Sequence, residues 1–182
     1  MERSQQSLAF EEYWRSLRSG RAMPSLDDFD PLQISDLIPN LFELFVTRGE
    51  TISASIRFAG GDVRNSANTE VTDTDFLSYV PPDRVDATVG RNMASYDQPC
   101  GLCQVNPMSL DAGSSVFLEL TGFPMLSSDH DAVLFGTVVS LKKDDMSDRT
   151  AIQRLERAQD MVWIDTDRGI PTSDFGCSRS LR

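Results

Sequence analysis

The chain has 182 residues, 40% hydrophobic and 25% charged, a balance that supports a real core and excludes wholesale disorder. With 28 acidic against 17 basic residues the formal net charge is −11, so a phosphate backbone is repelled over most of the surface and nucleic acid is excluded as a partner. The opening "MERSQQSLAFEEYW" has no apolar run fit for a signal peptide, and nowhere do about 18 apolar residues follow one another; both point to a cytoplasmic protein without membrane insertion.

In chain order, Ala9 to Arg18 is expected to be an amphipathic helix, because Phe10, Tyr13, Trp14 and Leu17 recur on one helical face. Gly20 and Pro24 end it. After a short helical piece at "DPLQISDLIPN", the run "LFELFVT" sets Phe42, Leu44 and Val46 on one face and Leu41 and Phe45 on the other, the mark of a central strand covered on both sides. In "SASIRFAG", Ala54, Ile56 and Phe58 face one way and Ser53, Ser55 and Arg57 the other, which predicts an edge strand.

From Asp62 to Tyr79 the signals are short turns and helices. A longer helix then follows Pro81 and Pro82, with Val85, Val89 and Met93 on its inner face and Pro99 closing it. Three strands come next, at "CGLCQVNPMSL", "SSVFLELTGFPML" and "AVLFGTVVSL". Beyond Lys142 the composition turns polar, and Ile152, Leu155 and Val162 are spaced like the seam of a helix.

Helix, two strands, a block of short helices and three strands is the order of a PAS domain, and the chain resembles the PAS_5 family of small bacterial PAS proteins. The resemblance is carried by "YWRSLRSGRAMPSLDDFDPLQISDLIPNLFELFV", "IRFAGGDVRN", "TDFLSYVPPDR", "AVLFGTVVSL" and "WIDTDRGIP", together about residues 8 to 172. It implies an α+β fold: a five-stranded antiparallel sheet, a helical block over a pocket on one face, and the leading helix on the other. It also implies a sensory or regulatory role in bacterial signal transduction, motility and cell-cycle control included. The expected division is a PAS domain with its helical cap over 8–143 and a helical extension and tail over 144–182.

The cysteine pair in "QPCGLCQVN" invites a redox or metal reading. Cys100 and Cys103 stand three apart on an expected strand and so diverge to opposite faces; a zinc site has only Cys177 and His130 left to call on. Small core residues is the expectation for the pair, with a thiol-redox enzyme as the alternative. His130, the single histidine, lies in the acidic turn "SSDHDAV", where a solvated loop residue is expected rather than a haem ligand or triad base. Met93 as an axial haem ligand is outweighed by plain core packing. Residues 62–97 contain no cysteine, which removes a flavin photoadduct of the LOV kind.

The glycine pair of "AGGD" is expected to leave its strand through a positive φ, and Asp62 and Arg64 then stand at the pocket mouth. The carboxylate groups in "SLDDFD", "TDTD" and "KKDD" lack calcium-loop spacing and read as caps and solvated faces.

The expectation is therefore a non-catalytic regulator without metal or cofactor that acts through a signalling partner protein. A small-molecule ligand is expected among Phe58, Asp62, Arg64, Phe76, Val89 and Met93. Phe10, Tyr13, Trp14 and Leu17 exceed what one short helix needs and predict a homodimer or partner interface. A ligand-free scaffold, its pocket filled by its own side chains, is the third reading.

Overall fold

The computed structural model describes residues 1–48, 52–67, 70–110, 115–128, 132–141, 152–173, 175 and 179–181. Helix α1 (Gln5–Leu17) leads into short 3-10 turns and then strands β1 (Leu41–Arg48) and β2 (Ile52–Ala59). Helices α2 (Gly61–Ala67) and α3 (Val85–Asp97), with further 3-10 turns, separate these from β3 (Gly101–Leu110), β4 (Ser115–Leu126) and β5 (Ala132–Ser140). The five strands pair antiparallel in the order β2-β1-β5-β4-β3.

The sheet does not stop at five. Strands β6 (Ile152–Leu155) and β7 (Asp160–Ile164) pair antiparallel with β3, and β8 (Arg179–Leu181) pairs parallel with β7, so among the described residues eight strands share one sheet. The expected helical extension is corrected accordingly: its described part is strand and turn, joined to the main sheet. The apparent helical seam was misleading because "DMVWI" alternates, sending Val162 and Ile164 to one face and Trp163 to the other.

Pro107 explains why β3 has two short neighbours instead of one long one. Its carbonyl accepts from Glu156 N at 2.8 Å, so its ring nitrogen, which has no proton to give, faces the same side. The ladder with β7 runs to Val105 and that with β6 begins at Met108, and the chain turns over Pro107 between them.

Helix α1 begins at Gln5, ahead of the expected Ala9, because Ser4 caps it by accepting from Ser7 N. The buried Glu119 carboxylate of β4 accepts from both Ser4 N (2.9 Å) and Ser4 Oγ (2.6 Å), placing a negative charge at the positive end of the helix. The carboxylates of "SLDDFD" act as local caps: Asp28 completes a capping box with Ser25, and Asp30 accepts from Leu32 N.

Phe10, Tyr13 and Trp14 are buried in the chain's own core at 1%, 7% and 0% exposure, with Leu17 half-buried beside them. The interface role expected for these four residues is thereby corrected. The outer sheet face is itself aromatic, and it takes up the three aromatic residues of the stripe: Phe10 meets Phe135 edge-on at 5.5 Å and Trp14 lies 5.2 Å from Phe123. The ground on which a homodimer was expected is gone. Phe10→Asp should abolish the cooperative unfolding transition altogether rather than give a folded monomer, as followed by circular dichroism. Trp14→Ala should cost about 3–5 kcal/mol in urea titration.

Candidate ligand chamber

The inner sheet face and the helices over it form a partly open hollow of about 120 Å³. Its floor is Phe42 and Leu44 of β1, Ile56 of β2, Leu134 and Val138 of β5, Leu118, Leu120 and Gly122 of β4, and Leu102, Gln104 and Met108 of β3. Its roof is Val63, Ser66 and Ala67 of α2, then Val71, Phe76 and Tyr79, then Thr88 and Asn92 of α3; Leu155 of β6 closes one side. Alternation along the strands produces this floor: the residues between them point to α1. At Gly122 an added Cβ meets only Phe42, at 3.7 Å, so the missing side chain there is part of the hollow.

The candidate residues fare differently. Phe76 lines the chamber, placed by Asp75, which caps the 3-10 turn Phe76–Tyr79 by accepting from Leu77 N. Phe58 does not, and is 37% exposed on the other face. The pairing Glu43↔Phe58 is followed by Leu44↔Ile56, leaving Arg57 as an extra residue in a β-bulge that reverses the alternation. Asp62 and Arg64 are exposed on α2, whose inward residues are Val63, Ser66 and Ala67. Asp62 accepts instead from Asn40 Nδ2 at 3.3 Å. Neither glycine of "AGGD" has positive φ; Gly60 is needed because a Cβ there falls 2.1 Å from the Ile38 carbonyl oxygen.

Val89 and Met93 are likewise corrected. Val89 is buried on α3 and Met93 packs against the cluster around Leu44 and Val46, but the residues that face the hollow are Thr88 and Asn92. They stand i,i+4 on one stripe. The apolar stripe was the stronger sequence signal, and it marks packing against the sheet rather than the cavity wall.

A second, more polar cleft of about 80 Å³ adjoins the first, lying between α3 and the β6–β7 turn. Arg84, Arg91, Asn106, Glu156 and Arg157 line it, and Phe76, Thr88, Gln104 and Leu155 belong to both cavities. Sequence reasoning missed this cleft because one of its walls is the extension read as a helix.

Cys100 and Cys103 are both buried and belong to different faces: Cys100 packs with Leu102 and Trp163, Cys103 with Phe10 and Trp14. They cannot meet as a redox pair. Thr121 Oγ1 donates to Cys103 Sγ at 3.1 Å. Burial pushes the Cys103 thiol up from 9.0 to about 11, and the Glu119 carboxylate adds to the rise while Thr121 and Arg3 oppose it. Such a thiol is protonated and no nucleophile at neutral pH. Among the described residues no cluster of three or more metal-ligating side chains occurs, and no helix is long and apolar enough to cross a membrane. His130, Cys177 and the "KKDD" run lie outside the described residues.

Because its folded-state value is the higher one, Cys103 supports the fold fully below pH 9.0 and loses that support as pH rises through about 11. Wild-type stability should therefore fall more steeply over that window than that of Cys103→Ala, as measured by urea midpoints at successive pH. In the native protein at pH 8, Cys103 should resist alkylation that it undergoes once unfolded.

No curated protein matches this chain. A family model, described as a PAS domain, matches residues 2–139, which end with β5 and leave β6 to β8 outside the match. The antiparallel order β2-β1-β5-β4-β3, the helical roof over a hollow inner face and this match over most of the chain agree, and the protein belongs to the PAS_5 family of PAS domains, whose role is sensory or regulatory.

Proposed function

We propose that this protein is a non-catalytic PAS regulator that binds a small, largely apolar molecule in the chamber and passes the bound state to a signalling partner protein. The observation that carries the reading is the chamber itself, a 120 Å³ hollow with a mostly apolar lining at the centre of the domain. A few waters find little to hold there, since a buried water needs several polar partners. The ligand-free scaffold is disfavoured on the same ground, because a scaffold gains by filling such a space with its own side chains. The thiol-redox alternative loses its chemistry with the two cysteines buried on opposite faces.

Gly122→Val tests the reading. The valine methyls occupy the hollow beside Phe42, and a β-branched residue suits the strand, so the variant should fold at least as stably as the wild type. Native mass spectrometry of the wild type should show a retained small molecule, or heating curves a rise in midpoint with small alkyl compounds, and Gly122→Val should lose both. A wild type that carries nothing and responds to none of these compounds sinks the proposal.

A further inference from the structure

Two orphaned side-chain oxygens lie where the chamber meets the polar cleft. Asn106 is 6% exposed, and its Nδ2 donates to the Glu156 carbonyl at 2.9 Å, which fixes which end of the amide is which. Its Oδ1 is buried with no partner among the described residues, and the same holds for Oε1 of Gln104. The two residues stand i,i+2 on β3 and so share its inner face, Gln104 on the wall common to both cavities. Buried acceptors of this kind are normally satisfied, so each calls for a donor.

On the far side of the cleft stand the guanidinium groups of Arg84 and Arg91, which donate and cannot accept. Resting on the chamber being a ligand site, we infer that chamber and cleft form one binding site for a neutral amphiphile, an aliphatic chain ending in an amide-type head. The chain fills the chamber, the head's N–H groups go to Asn106 Oδ1 and Gln104 Oε1, and its carbonyl faces the arginines. A fatty carboxylate can pair with the arginines, but an ionised head has no proton for either orphaned oxygen and leaves both unsatisfied beside its own negative oxygens.

The head-group half of this site lies partly beyond the residues the family match covers. Leu155 closes the chamber, the Glu156 carbonyl orients Asn106, and Met161 and Phe175 wall the cleft, all from the segment after residue 139. The C-terminal extension is thus a specificity element added to the PAS chamber.

Octanamide and octanoate serve as probes at pH 7.5, titrated into the full chain with backbone and side-chain amide resonances followed by NMR. Octanamide should perturb both chamber and cleft residues, including the Asn106 side-chain amide, and bind at least tenfold more tightly than octanoate. Asn106→Leu should bring the two affinities within about threefold of each other. Gln104→Met should narrow the gap in the same direction and provides the comparison if Asn106→Leu does not fold. Equal binding of the two probes by the wild type, or an undiminished gap in the folded variants, overturns the head-group assignment while leaving the chamber reading intact. Binding of neither probe overturns both.

Discussion

The indole of Trp14 is fully buried against Phe123 and gives its Nε1 proton to the Pro124 carbonyl at 2.9 Å, just past the point where β3 stops pairing with β4 at Gly122. A proline in that position leaves no unpaired N–H, and the indole satisfies the carbonyl that the missing strand cannot. With Phe10, Phe29, Phe123 and Phe135 in contact around it, the outer face becomes a continuous aromatic core. That concentration of burial is what lets the inner face stay open.

The polar groups under α1 are organised for the same end. Thr121 sits between Ser7 Oγ, 2.8 Å away, and Cys103 Sγ, while Glu119 takes the first turn of the helix and Arg3 pairs with Glu11. A helix laid across a sheet has to satisfy its leading N–H groups somewhere, and here strand residues on the outward register supply part of that need. The same register puts Leu118, Leu120 and Gly122 into the chamber, so helix anchor and cavity floor are alternate residues of one strand.

Much of this was legible in the sequence. The stripe of α1, the double-sided pattern of β1, the cap at Asp75 and the divergence of the two cysteines follow from periodicities of 3.6 and 2 and from side-chain caps. What escaped is where a single residue breaks a period. The extra residue at Arg57 turned Phe58 outward, and nothing in "SASIRFAG" announces a bulge. On α3 the apolar stripe is not the cavity wall; the wall is Thr88 and Asn92, polar positions that look like surface in a helical pattern. The extension was misread because its strands are only four and five residues long, too short for alternation to outweigh a chance helical spacing.

Helix α1 and the added strands meet at the turn after β7. Asp165 Oδ1 accepts from the backbone N–H groups of Asp167, Arg168 and Gly169, with Asp167 and Gly169 at positive φ, so the turn is tightly built. Arg15 donates to the Asp165 carbonyl at 2.8 Å and to the Asp167 carboxylate at 3.0 Å, and Arg18 donates to the Thr166 carbonyl at 2.6 Å. The surface ion pair adds little by itself, but the guanidinium bonds to turn carbonyls fix the end of β7 to the last turns of α1. Strand β7 thus carries Met161 into the polar cleft, Val162 and Ile164 into the outer core, and its following turn onto the helix. The extension is thus tied to α1 through this turn by side-chain hydrogen bonds to three successive residues. An inner cavity and an outer helix separated by the whole thickness of the sheet are joined at its added edge.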